Sequence, residues 1–145
     1  MSQLSTFQVG RYLFGVDVSL VREIVRLQVF TPVPMSPPEI AGLINLRGEV
    51  LTAIDLRARL GLPPSDGRRV PVNVVVRVDD EPVSLLVDEI GGVLDVSQLP
   101  FEVTPATVDA KVRDLLLGSY TLPDCLLLAL NTKKVLAIVD DSHAT

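Results

Sequence analysis

The sequence predicts an all-β protein with a few short helices, built as a single domain over residues 1–145. Short apolar runs rich in Val, Ile and Leu recur at roughly ten-residue spacing, as is typical of strands in small barrels. Gly, Pro and Asp separate these runs, and they are the residues that tight turns favour. The 145 residues, 48% of them hydrophobic, are also enough to bury one substantial core.

The first predicted element is a β-hairpin, with strands Leu4–Val9 and Tyr12–Asp17 around a turn at Gly10-Arg11. Apolar and polar residues alternate along both strands, which indicates that one face of each is buried.

A short amphipathic helix is predicted next. Val21, Ile24 and Val25 recur at helical spacing, which leaves Glu23 on the polar face. Asp17 and Ser19 precede the segment, and either could cap its first turn.

The connection that follows, Phe30–Pro38, contains four prolines, which favours an edge strand or an extended connection over a central strand. Its apolar start, Val29–Val33, is either a buried connection or an exposed edge that a partner covers, and the residues alone leave both readings open.

A second hairpin organises the middle of the chain. Strands Leu43–Leu46 and Val50–Ile54 flank Arg47-Gly48, where the glycine supplies the positive φ that a tight hairpin turn needs. Asp55 then caps a short helix, Leu56–Leu60.

The rest of the chain continues the pattern. We predict a bulge or bend at Gly91-Gly92, mostly irregular structure over Leu99–Asp114, and a tail that frays over residues 140–145. The remaining predicted elements are strands Val70–Val78, Val83–Ile90, Val93–Val96, Leu115–Leu122 and Cys125–Leu130, and a helix from Asn131 to Val139.

The same periodicities predict the core, which contains apolar residues at period two in strands or on helical faces. These are Phe7, Val16, Val18, Ile24, Leu46, Leu51, Ile54, Val74, Val76, Leu86, Leu126, Leu128 and Leu136.

Composition argues against several classes of function. A net charge of −5, a pI near 4.7 and six aromatic residues without Trp do not suit a nucleic-acid surface. Cys125 and His143 are the single cysteine and histidine, and neither has a visible catalytic partner, so we predict no enzyme activity, no metal and no cofactor.

The same sequence lacks a signal peptide and a run long enough to cross a bilayer. Its lone thiol suits a reducing compartment, so we expect a cytoplasmic protein.

Exposed charges on a rigid β scaffold are the features that remain for function. Arg47, at a turn, is either a solvated charge or a planar group that grips a carboxylate or carbonyls of a partner. Glu23 has the same two readings.

Several blocks of the sequence together resemble the CheW family of chemotaxis coupling proteins, over residues 7–138. The blocks are Phe14-Gly-Val-Asp-Val, Val21-Arg-Glu-Ile, Pro32-Val-Pro, Gly42-Leu-Ile-Asn-Leu-Arg-Gly, Ile54-Asp-Leu-Arg and Leu85-Leu-Val-Asp. The resemblance implies two SH3-like five-stranded barrels around a shared core and an adaptor without catalysis. We also expect the chain to be a monomer in isolation.

The partners implied by this resemblance are the cytoplasmic tips of chemoreceptors and the regulatory domain of the histidine kinase CheA. The receptor-facing positions of the family correspond to Val21, Glu23 and Arg47, with Gly42 and Gly48 shaping the groove. The kinase contact corresponds to the edge that contains Val29, Phe30 and Val33. A coupling protein of a pilus or gliding system, or a module that binds another kinase, are the alternatives.

This chain also departs from the family pattern. Ser84 stands where the family often has Gly, and Glu102 and Thr107 replace a basic and an aromatic residue that would support a second kinase contact.

Overall fold

Strands and tight turns dominate the computed structural model, which describes residues 2–26, 29–68 and 70–143, with the backbone alone for 140–143. The strands in these residues are β1 (Gln3–Val9), β2 (Tyr12–Asp17), β3 (Val21–Val25), β4 (Ile40–Leu46), β5 (Glu49–Asp55), β6 (Val72–Val78), β7 (Glu81–Val87), β8 (Glu89–Asp95), β9 (Phe101–Glu102), β10 (Leu116–Thr121) and β11 (Leu126–Leu130). The helices are α1 (Leu56–Arg59), α2 (Ala110–Arg113) and α3 (Thr132–His143), and Val18–Leu20 forms a 3₁₀ turn.

The strands form two mixed sheets, and each sheet defines a lobe. The five-stranded lobe has the order β3-β6-β7-β5-β4, and the six-stranded lobe has the order β8-β1-β2-β11-β10-β9. Each sheet contains one parallel pair, β5 with β7 and β2 with β11. The predicted all-β class with short helices is therefore confirmed, and one sheet has six strands instead of five because β9 adds a two-residue edge.

All of the predicted hairpins form. β1 pairs with β2, β4 with β5, β6 with β7 and β10 with β11, each antiparallel. The register between β1 and β8 shifts opposite Gly91 and Gly92, as predicted for the glycine pair. The predicted bounds Val83–Ile90 and Val93–Val96 are wrong, because the chain crosses between the sheets at Asp88 and β8 continues through both glycines to Asp95. The segment Leu99–Asp114 is less irregular than predicted, since it contains β9 and α2.

The predicted helix at Val21–Val25 is wrong, because this segment is strand β3. It pairs antiparallel with β6, so its backbone groups bond across the sheet. Of the two predicted caps, Asp17 is the one that acts: its Oδ1 accepts a hydrogen bond of 2.9 Å from the N–H of Ser19, but it caps a 3₁₀ turn, Val18–Leu20, and not the predicted helix.

Both lobes contribute to one shared core, in which Phe7 and Phe14 of the six-stranded lobe meet the valines of β6 and β7. A smaller apolar cluster fills the other face of each sheet. Of the predicted core, Val18, Leu46, Leu86 and Leu126 are half-buried and Ile24 is 42% exposed. The predicted core residues that are buried are Phe7, Val16, Leu51, Ile54, Val74, Val76, Leu128 and Leu136.

Two predicted helix caps are present. Oδ1 of Asp55 accepts from the N–H of Ala58 at 3.3 Å, and Oδ1 of Asn131 accepts from the N–H of Lys134 at 3.2 Å. The last helix continues past Val139 to His143. Fraying of the tail stays a prediction, and residues 144 and 145 lie outside the described residues.

Candidate functional site

The β4–β5 hairpin ends in a two-residue turn that presents Arg47. Leu46 pairs with Glu49, and Arg47 and Gly48 between them have φ of 52° and 85°. These values correspond to a type I′ turn, whose twist matches that of the flanking strands. Space around Gly48 is open, so this glycine is required for its conformation and not for packing.

Arg47 contacts Glu23 across the five-stranded lobe. Nη1 of Arg47 lies 2.6 Å from Oε1 of Glu23, and the side chains are 75% and 28% exposed. This hydrogen bond, followed by the charge of Glu23, raises the pKa of the Arg47 guanidinium. The structure thus brings together two residues that lie far apart in the sequence and were each predicted to face the receptor.

The contact joins the two edges of the sheet, since Glu23 is on β3 and Arg47 follows β4. The connection that follows β3 is also held against β4, because Thr31 exchanges two backbone hydrogen bonds of 2.8 Å with Leu43. The sheet is therefore rolled, so that its two edge strands, β3 and β4, come close together. We call this seam the rolled edge, and it presents the ion pair of Arg47 and Glu23 to solvent.

Two further predicted receptor residues, Val21 and Gly42, are less accessible than Arg47. Val21 begins β3, where it is half-buried and packs against the shared core. Gly42 is buried, and a Cβ there would lie 2.7 Å from the carbonyl oxygen of Thr31. Its function is to let the connection approach β4 closely, so Gly42 shapes the site without contributing a surface to it.

The predicted kinase edge divides into exposed and covered residues. Val29 is 89% exposed. Phe30 is half-buried and covers the small core of the five-stranded lobe, which contains Ile44 and Val75. Val33 packs against the shared core. The connection is buried in part, because Phe30 and Val33 pack against the two cores, while Val29 is exposed. That a partner covers Val29 stays a prediction.

One charged cluster was not singled out by sequence reasoning. Arg57, Asp55, Asp66 and Asp88 line a cavity of about 620 Å³ beside α1, and Arg57 pairs with Asp88. Arg57 and Asp88 belong to two of the motifs that support the family resemblance, Asp-Leu-Arg and Leu-Leu-Val-Asp. Their place in these motifs is the sequence signal that could have identified the pair.

Other predicted features are placed as follows. Cys125 is exposed. We predict that it is a free thiol without a functional role, because no acidic or basic partner stands beside it in the sequence. Ser84 is buried in β7, where its hydroxyl donates to Oδ1 of Asn73 at 2.8 Å.

In the part of the chain that the structure describes, no group of three His, Cys or carboxylate side chains could hold a metal ion. No described helix is long and apolar enough to span a membrane.

Comparison with known proteins identifies the fold and the family. The family described as "CheW-like domain" matches residues 3–140. The chain belongs to the CheW family.

Named relatives agree with this assignment. The chain is 30% identical to the chemotaxis protein CheW of Treponema pallidum over 137 residues, 92% of this chain and 81% of the relative. It is 41% identical over 103 residues to the probable chemotaxis protein CheW of Rhizobium etli, 71% of this chain and 66% of the relative. The crystal structure of the scaffolding protein TtCheW from Thermoanaerobacter tengcongensis superposes with a TM-score of 0.79 at 25% identity, covering 89% of this chain and 88% of that one.

Membership decides the broad class of function. The CheW family is a family of chemotaxis scaffolding proteins and not of enzymes, so the prediction of a non-enzymatic adaptor class is confirmed.

Proposed function

We propose that this chain is a cytoplasmic adaptor that couples the cytoplasmic tips of chemoreceptors to the regulatory domain of the histidine kinase CheA. The observation that supports it most is the contact of Arg47 with Glu23 at 2.6 Å on the rolled edge of the five-stranded lobe. An exposed ion pair of this kind contributes little to folding. We therefore assign the Arg47 guanidinium a role in binding a partner and not in stability.

The geometry leaves Arg47 able to bind a partner while it remains paired. Glu23 accepts from Nη1, and among the described residues the other N–H groups of the guanidinium make no hydrogen bond. Glu23 thus holds the planar group in place and leaves donors for a carboxylate or for carbonyls at the end of a helical hairpin. A receptor tip offers both kinds of acceptor.

The kinase contact is proposed at the connection that contains Val29, Phe30 and Val33. Val29 is the exposed residue of the three, so it supplies the contact, while the two others hold the connection against the lobe. An apolar side chain that is exposed in isolation and covered in a complex gains stabilisation from its burial.

The test is a titration of variants against two purified partners, a receptor cytoplasmic fragment and a CheA regulatory domain. Arg47→Ala should weaken receptor binding about ten- to a hundredfold, because a charge-assisted hydrogen bond contributes roughly 1.5–3 kcal/mol. Arg47→Lys should recover only part of this loss, since an ammonium cannot reproduce the planar group. Neither change should affect kinase binding.

Val29→Ser is the complementary variant and should weaken kinase binding alone. Unchanged receptor affinity in Arg47→Ala, or an equal loss towards both partners in either variant, would falsify the assignment of the two surfaces.

A further inference from the structure

Arg47 occupies a backbone position that its residue type disfavours. The first central residue of a type I′ turn needs a positive φ, which Asn, Asp and Gly adopt readily and long side chains do not. The β6–β7 turn follows this rule, with Asp79 and Asp80 at φ of 52° and 65°. Arg47 has the same φ of 52° without a short polar side chain to support it.

The support comes from the residue two positions earlier. Oδ1 of Asn45 accepts a hydrogen bond of 3.0 Å from the backbone N–H of Gly48. Asn45 is exposed, so it adds nothing to an apolar core. Its backbone pairs with Val50, and its side chain makes a hydrogen bond to the turn, where it ties the second central residue back to the end of β4.

The hydrogen bond between Asn45 and Gly48 affects the position of the Arg47 guanidinium. The φ of Arg47 sets the direction of its Cα–Cβ bond, and from the left-handed conformation Nη1 reaches Glu23 at 2.6 Å. If the N–H of Gly48 loses this acceptor, the pairing of Leu46 with Glu49 is left to hold the turn, and Arg47 samples more often the negative φ that its residue type prefers. In those conformations its side chain leaves Glu23.

We propose that Asn45 is a positioning residue, which holds the β4–β5 turn in the strained conformation that presents Arg47 to the partner. The inference rests on the proposed function in so far as that partner is a receptor tip. The placement of Arg47 by Asn45 is a property of the free protein and can be measured without a partner.

The first experiment uses nuclear magnetic resonance of the free protein. In Asn45→Ala, the Nε–H signal of Arg47 should move towards its position in Glu23→Ala, where no carboxylate holds the guanidinium. Exchange of the Gly48 amide hydrogen should become about fivefold faster or more, since the hydrogen bond that protects it is gone. An unchanged Arg47 signal in Asn45→Ala overturns the proposal.

The second experiment measures binding. Asn45→Ala should weaken binding of the receptor fragment about three- to tenfold and leave binding of the kinase domain unchanged, and in an Arg47→Ala background it should cause no further loss. Asn45→Asp, which keeps the acceptor oxygen, should restore most of the affinity. A further loss of the same size in the Arg47→Ala background would show that Asn45 does not act through Arg47.

Asn131→Ala is the matched control, because it also removes an Asn that accepts from a backbone N–H, that of Lys134. It should lower stability without a selective effect on the receptor. If Arg47→Ala itself binds the receptor fragment like the wild type, the proposed function fails, and the resonance experiment alone decides whether Asn45 positions Arg47.

Discussion

Arg57 and Asp88 join the two lobes through a bidentate ion pair, in which Nε of Arg57 lies 2.9 Å from Oδ1 of Asp88 and Nη2 lies 2.6 Å from Oδ2. Asp88 lies where the chain crosses from β7 to β8, and its Oδ2 also accepts from the N–H of Gly10 at 2.8 Å. Arg57, on α1, donates further to the carbonyl of Pro63 at 2.7 Å. One carboxylate therefore ties α1, the crossover and the β1–β2 turn together.

Loss of this carboxylate should destabilise the protein. The two side chains are 21% and 14% exposed, and the hydrogen bond to Asp88 raises the pKa of Arg57, so the guanidinium stays charged. Asp88→Ala leaves that charge and the N–H of Gly10 without this acceptor, and should lower the free energy of unfolding by about 2–4 kcal/mol. Urea denaturation measures the change.

Asp109→Ala is the control for that prediction, since Asp109 lies 3.4 Å from Arg11 in an exposed pair. It should change the free energy of unfolding by less than about 1 kcal/mol. Equal effects of the two substitutions would show that Arg57 and Asp88 do not hold the lobes together.

The fold was predictable where local signals agree with the pairing of the strands. Gly48 required a turn, and the Val-rich run of β6 required a strand, so both were correctly placed. β3 was mistaken for a helix because polarity does not follow burial along it. Burial alternates strictly from Val21 to Val25, but the exposed position 24 is an isoleucine and the half-buried position 23 is a glutamate. The contact of Glu23 with Arg47 accounts for a charged residue at the half-buried position.

Ile54 tests the shared core. It is fully buried on β5, opposite Ile40 on one side and Leu85 on the other. Ile54→Ala should lower the free energy of unfolding by about 2–5 kcal/mol, because it removes buried methyl groups and leaves a cavity. Val50→Ala, on the same strand but exposed, should cost less than about 1 kcal/mol. Similar losses in the two denaturation curves would contradict the assigned core.

Asp17 should make a small, acid-sensitive contribution to stability. Hydrogen bonds from the N–H and the hydroxyl of Ser19 lower the pKa of Asp17. A carboxylate with a lowered folded pKa stabilises above its unfolded value near 3.9, and this contribution is lost as pH falls through the lowered value. Asp17→Asn should therefore melt about 1–2 °C below the wild type from pH 5 to 8. The two melting curves should converge below about pH 4, and a constant difference down to pH 2 would show that the charge of Asp17 is not its source.

The candidate site was less predictable than the fold, because its geometry is non-local. From the residues alone, Arg47 was either a solvated turn charge or a grip for a partner, and only the family resemblance favoured the second reading. Its contact with Glu23 depends on β3 pairing with β6 and on the rolling of the whole sheet. The Asn45 tie is local and could have been read from the sequence, but an Asn before a turn is too common to single out.

Arg47→Asn should separate stability from binding. Asn favours the first position of a type I′ turn before Gly, whereas Ala is strained at the φ of 52° that Arg47 adopts. Both substitutions remove the exposed ion pair, so Arg47→Asn should be more stable than Arg47→Ala by about 0.5–1 kcal/mol, and close to the wild type. Both should lose affinity for the receptor fragment equally, because neither carries a guanidinium. Denaturation and titration of the two variants side by side provide the test. If Arg47→Asn is no more stable than Arg47→Ala, the left-handed conformation of Arg47 does not strain the turn. If Arg47→Asn still binds the receptor fragment like the wild type, the guanidinium is not what the partner contacts.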